Sequence, residues 1–305
     1  MKYIRMFLPT HNSFSPEISW NLWFEEFMEL WKSYCNAPPW ETWDEELFEL
    51  YRRLASDQIG KIDWSPYIEF LFPRFMGRFS LPGTTMSNLD TIDISIWIIA
   101  TIGGSESGRT IQNYLSKMVY AIESYFQPVN SDNQSANNLH LFIICLCEYF
   151  IRRLHNERYD TKRKCATPVE KRLTDSDVEN FILGLKPVIF HIIFNEEFDS
   201  ERHYVFNSLS TIRPDLIIPT LLEKFKNSMD TSMTEPHSFT ACLATLRSCA
   251  RPLVENYPLE VIQILKHIIP GIDINDIWKS SDILLLVNSF LEMIWLIDFS
   301  GSETK

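Results

Sequence analysis

Glycine is scarce in this sequence. Nine glycines in 305 residues leave little material for the tight turns of a β-rich or doubly wound fold, and clean alternating apolar–polar runs are few. Cysteine is sparse too. Six cysteines lie scattered without framework spacing, which argues against a disulfide scaffold and fits reduced thiols in the nucleus or cytoplasm. Basic residues are outnumbered, 28 against 40, for a net charge of −12. So acidic a surface disfavours direct binding to a nucleic-acid backbone. MKYIRMFLP breaks at Pro9 before any long apolar core, so no signal peptide is expected. The most apolar stretch, Ile283–Phe299, carries Asn288, Ser289 and Glu292, and is expected to be a buried helix rather than a membrane span.

Helical punctuation is abundant. Between Ile212 and Val254 two helices are marked. One starts at Pro214, where the missing N–H costs nothing, with Asp215 beside it favouring the positive helix end. The other is capped by Thr234 and followed by Glu235 and Pro236. Its apolar face is Phe239, Cys242, Leu243, Leu246, Cys249 and Leu253. Such a hairpin cannot bury its faces alone. Helix starts at Thr174, Pro214 and Pro258 recur at intervals of 40 and 44 residues, within the period of roughly 40–47 for HEAT repeats. The expected fold is all-α, an α-solenoid of HEAT-like helical hairpin repeats.

The expected organisation is N-terminal helical repeats over 1–80, helical repeats with polar loops over 81–155, a basic inter-helix loop over 156–173, and HEAT-like repeats over 174–305. Ser15-Pro16-Glu17 opens a helix whose aromatic stripe, Trp20, Trp23, Phe24, Phe27, Trp31 and Tyr34, is read as core packing, with an exposed partner groove as the sharper reading. Asp44–Ile59 reads as a helix closed by Gly60, and Asp63-Trp64-Ser65-Pro66 opens another, to about Phe79. Leu81–Asp90 reads as a linker. Ile92–Ile102 is apolar and short enough to be helix or strand. Asn113–Phe126 and Leu139–Leu154 read as helices around an Asn- and Ser-rich loop over Gln127–Asn138. Pro187 is expected to kink the helix that Thr174 caps, and the last helix to start near Ser280.

Two motifs invite chemistry. Gly103–Thr110, GGSESGRT, nearly fits a phosphate loop, but Arg109 stands where the compact lysine ammonium is required. Ile294–Asp298 imitates its metal-binding partner strand from within a helical pattern. A glycine-containing inter-helix loop is the competing reading. The basic run Arg152, Arg153, Arg158, Lys162, Arg163, Lys164, Lys171 and Arg172 reads as a solvated loop, a nuclear-import signal or a polyphosphate pocket. No paired metal-ligand spacing or nucleophile motif occurs, so no metal and no active site are expected.

Several strings are more specific than a generic repeat: Ser19–Trp31, Gly60–Ile68, Arg152–Tyr159, Thr167–Phe181, Arg213–Phe225, Met233–Leu243 and Leu265–Lys279. Through them the chain resembles the proteasome activator complex subunit 4 family of large single-chain HEAT-repeat proteins, over its N-terminal and early middle repeats. The resemblance implies a non-enzymatic cap on the proteasome core particle that promotes ATP- and ubiquitin-independent degradation of peptides and acetylated proteins such as histones. It also implies a nuclear and cytoplasmic protein linked to DNA repair, with acetylated histones recognised through regions absent here. Inositol phosphates are the implied ligands, not required cofactors, with Arg152, Arg153, Arg158, Lys162, Arg163 and Lys164 as candidate contacts. The chain ends Glu303-Thr304-Lys305 rather than in the family's gate-opening tail, so these residues alone are expected not to activate the core particle. Another HEAT scaffold, such as a karyopherin-like transport receptor, is the alternative.

Overall fold

The computed structural model describes residues 23–35, 41–78, 88–103, 106–123, 126, 133–160, 167–194, 199–230 and 236–294. These residues hold thirteen α-helices and no strand. Two compact units divide the chain, Met1–Ile189 and Phe190–Lys305.

The first unit contains α1 (Phe24–Cys35), α2 (Glu41–Asp57), α3 (Ile68–Arg78), α4 (Asn88–Thr101), α5 (Glu106–Glu123), α6 (Asn133–Tyr159) and α7 (Asp175–Ile189). Helix α4 packs between α2 and α6, while α5 packs beside α3 and α7. Consecutive hairpins thus stack, helix on like helix, in two layers.

Phe24 and Trp31 of the α1 aromatic stripe are buried, Trp23 and Phe27 are half-buried, and the Tyr34 side chain lies outside the described residues. Phe24 meets Trp64 edge-on at 5.5 Å, and Trp31 meets Tyr51 at 5.7 Å. The cluster continues through Trp64 to Trp97, at 5.5 Å, and on to Phe75, at 5.0 Å. Edge-to-face rings at such distances add to the burial gain. Trp20 lies outside the described residues.

Ile92–Ile102 belongs to a helix. Ile94 through Ala100 are buried without interruption, because α4 is covered on both flanks, and a helix apolar all round shows no periodicity. Its buried Ser95 hydroxyl donates to Thr91 O at 2.7 Å. The helix starts at Asn88, inside the expected linker; Leu81–Ser87 lie outside the described residues. Helices α5 and α6 also start early, at Glu106 and Asn133. The polar residues read as loops there are first turns, held by the apolar runs behind them.

The second unit opens with a 3₁₀ turn, Phe190–Phe194. It continues through α8 (Asp199–Ile212), α9 (Pro214–Asp230), α10 (Pro236–Ser248), α11 (Ala250–Asn256), α12 (Pro258–Ile268) and α13 (Ile277–Leu291). Helices α8 and α9 meet at one residue, Arg213, whose side chain forks onto Asp215 with Nε–Oδ1 3.0 Å and Nη2–Oδ2 2.8 Å. That hydrogen-bonded fork holds the Asp215 carboxyl below its ordinary range. Thr234 and Glu235 lie outside the described residues, and α10 begins at Pro236.

The expected helix through Leu253 breaks at Cys249. Pro252 has no N–H and its ring would collide with the carbonyl four residues back, so it is accommodated in the first turn of a new helix, α11. Helix α13 starts at Ile277, earlier than Ser280, because Asp276 is the cap: its carboxylate accepts from Lys279 N at 3.1 Å. The expected burial of this stretch holds for one face only. Ile283, Leu286 and Phe290 are buried, whereas Leu284 and Leu285 are exposed. No helix among the described residues is long and apolar enough to cross a membrane.

Candidate functional site

The described parts of the basic stretch, 152–160 and 167–172, are woven into the fold. Helix α6 runs on to Tyr159, so Arg158, expected in the loop, stands on the same helix as Arg152 and Arg153. Phe150, Ile151 and Leu154 keep burying one face, which carries the helix that far. Arg153 is only 5% exposed. Its Nε donates to Glu157 Oε1 at 2.7 Å, its Nη1 to Ile99 O at 2.5 Å and Ile102 O at 2.8 Å, and its Nη2 to Lys171 O at 3.4 Å. Ile99 and Ile102 close α4, where carbonyls lack helical partners and the dipole favours a cation. Glu157 Oε2 accepts from Leu173 N at 2.8 Å. One buried ion pair therefore ties α6, the end of α4 and the 167–174 segment together.

That segment lies over two glycine turns. Gly60 and Gly103 hold φ of +75° and +79°, the left-handed region open to residues without Cβ. A Cβ on Gly60 would stand 2.7 Å from Lys171 Cβ, and one on Gly103 2.6 Å from Leu173 Cδ2. A Cβ on Gly108 would overlap the Gly103 backbone. Gly103 and Gly108 of GGSESGRT thus permit close packing. Glu106 to Thr110 form the first turns of α5, not a phosphate loop. Trp295–Asp298, most of the second nucleotide motif, lie outside the described residues.

The three described candidate cations, Arg152, Arg153 and Arg158, do not share one pocket. Arg153 lines a pocket of about 470 Å³ with Lys61 and Lys171; Arg152 and Arg158 do not. Arg152 lies 5.2 Å over the Tyr149 ring, and Arg158 Nη2 reaches Asp175 Oδ1 at 2.6 Å on the surface. Lys162, Arg163 and Lys164 lie outside the described residues. Lys61 escaped the sequence reading because it is an isolated lysine far from the basic run; its place beside Gly60, under Lys171, brings it in.

A larger groove, about 740 Å³, opens between α5 and α7. The helices approach closely at Gly184, where an added Cβ would stand 3.2 Å from Ser116 Oγ. Thr174 caps α7 as expected, and reciprocally. Asp177 N donates to Thr174 Oγ1 at 3.2 Å, while Thr174 N and Oγ1 donate to Asp177 Oδ2 at 2.9 and 2.7 Å. Arg109, Gln112 and Asn113 line the α5 side; Glu170, Asn180 and Leu183 line the other.

In the second unit, Arg202 is buried, donates to Ile193 O and pairs with Asp199. His203 stands 3.6 Å from Asp199. Burial, with Arg202 and Arg247 nearby, outweighs Asp199 and lowers the histidine pKa. Four described thiols are buried. Burial pushes Cys145 up to about 12 and Cys249 to about 11, so they stay protonated and unreactive. Among the described residues no His, Cys, Asp and Glu cluster could hold a metal ion.

Similarity to known proteins agrees with this architecture. The mid HEAT-repeat region of proteasome activator complex subunit 4 matches residues 115–305. Proteasome activator complex subunit 4 of Xenopus laevis is 34% identical over 321 residues, and the human protein 33% over 319. The alignments cover 99% and 98% of this chain. The chain belongs to the proteasome activator complex subunit 4 family. It spans 17% of the length of those two relatives. A more distant proteasome activator subunit 4, from Arabidopsis thaliana, is 22% identical over 343 residues. The mid HEAT-repeat match of the activator family begins at Leu115 inside α5 and runs through both units, so α6, the 167–174 segment and α7 fall within it.

Proposed function

We propose that this chain is a helical-repeat section of a proteasome activator that associates with the proteasome core particle. The full activity would promote breakdown of peptides and proteins, acetylated histones among them, without ATP or ubiquitin, in nucleus and cytoplasm and in support of DNA repair. Histone recognition would fall to regions other than these residues. The observation that carries the reading is near-complete coverage of this chain by relatives named as proteasome activators, a regulatory name. Stacked hairpins are the support a static wall needs: rigid helix-on-helix contacts, with glycines and a buried ion pair fixing the turns. Immunodepletion with an antibody to this sequence is the test. Removing the protein that carries this sequence from a cell extract should lower ATP-independent peptide hydrolysis by core particles; restoring the depleted full-length activator should recover the rate, and the 305 residues alone should not. An unchanged rate would count against the reading.

An anion site belongs to the same proposal. Of the candidate cations, Arg153 has its charge neutralised by Glu157, so the cations left to the pocket are Lys61 and Lys171, opposed by the single carboxylate of Asp63. Inositol hexakisphosphate should raise the melting temperature of the chain, and should not do so for Lys61→Gln/Lys171→Gln. Equal shifts in both would place the anion elsewhere.

A further inference from the structure

We propose that the α5–α7 groove binds an extended polypeptide segment, gripped by its main chain and carrying a basic side chain. The inference does not depend on contact with the core particle. Three carboxamides line the groove: Gln112 and Asn113 on α5, and Asn180 on α7. A carboxamide carries the same donor–acceptor pair as a peptide group, so it can pair with one through two hydrogen bonds. Asn113 and Asn180 are exposed, one on each helix, so a strand laid along the groove meets amides from both sides.

Gln112 adds an independent sign. Its Nε2 is shielded from solvent and has no hydrogen-bond partner. A buried donor left unpaired is costly. This amide borders the groove beside Gly184, where an incoming carbonyl can satisfy it once the side chain turns outward.

The charges choose the occupant. Asp177 already accepts from the Thr174 cap, which leaves Glu170 as the exposed acid at the groove. Glu170 favours a lysine or arginine on the guest, and the net charge of −12 attracts basic segments from a distance. Arg109, exposed on the α5 side, is a donor for main-chain carbonyls. Leu183, 45% exposed, offers an apolar contact for one guest side chain.

Fluorescence anisotropy on the 305-residue chain tests this. The probe is a fluorescein-labelled peptide of Ser, Gly, Leu and Lys, about 12 residues and roughly 40 Å long when extended. It should bind saturably, and more tightly than the same peptide with Glu for Lys. Methylating its backbone nitrogens should weaken binding about tenfold or more, the equivalent of losing a main-chain pairing. Asn113→Ala/Asn180→Ala should weaken it similarly. Both positions are exposed, and circular dichroism checks the fold. Glu170→Lys should reverse the preference between the two peptides. Absent saturable binding, or binding untouched by either the N-methylation or the double asparagine change, would overturn the proposal. So would a wild-type preference for the Glu peptide.

Discussion

Gly103 has two reasons to be glycine. Its φ is +79°, and a Cβ would stand 2.6 Å from Leu173 Cδ2. Gly103→Ala should therefore cost about 1–3 kcal/mol, combining left-handed strain with displacement of the 167–174 segment. Urea denaturation measures it; an unchanged midpoint would mean the segment does not press on that turn. Arg153 and Glu157 act as one group. Glu157→Ala strands a buried guanidinium and should cost about 3–5 kcal/mol, whereas Arg153→Met/Glu157→Met should cost much less than the two single changes combined. Strict additivity in that cycle would contradict the coupling of the two residues. The sequence shows Arg153 as one cation in a basic run. Nothing local reveals that its partners are the end of α4 and a segment beyond Tyr159, because that assignment depends on stacking two hairpins.

At the scale of elements, legibility follows the caps. Thr174, Pro214 and Pro258 mark boundaries through groups that act locally, and all three stand where their chemistry predicts; Gly60 is left-handed, but α2 ends at Asp57, so it turns the chain beyond the helix rather than closing it. The starts of α4, α5 and α6 were hidden because Asn, Ser and Gly suit first turns and loops alike. Only packing decides between them. The break at Cys249 was readable from Pro252, but the apolar spacing on either side masked it. Helix α8 carries a pH signal. The folded pKa of His203 lies below its ordinary value of 6.5. As pH falls through that ordinary value, the unfolded chain takes up a proton that the folded chain refuses, so stability falls towards acid. Urea midpoints measured between about pH 5 and 7 should decline less steeply in His203→Asn than in the wild type. Identical slopes would mean that this histidine does not contribute.

Over the whole molecule, fold class was legible and the site was not. Repeat spacing near 40 residues is a global signature that survives errors at individual boundaries. A pocket joining Lys61, Arg153 and Lys171 leaves no such trace, since its members come from three separated stretches. The proposed function rests on family membership rather than on any one residue, because a helical-repeat scaffold requires shape rather than a reactive motif. Association with the proteasome core particle is the proposal on which that function rests. Capturing core particles from cells that express this protein, and probing the eluate with an antibody to Thr174–Phe194, tests that most directly. The antigen should co-purify with the core particle. Antigen found wholly in the unbound fraction, with the core particle fully captured, would contradict that association.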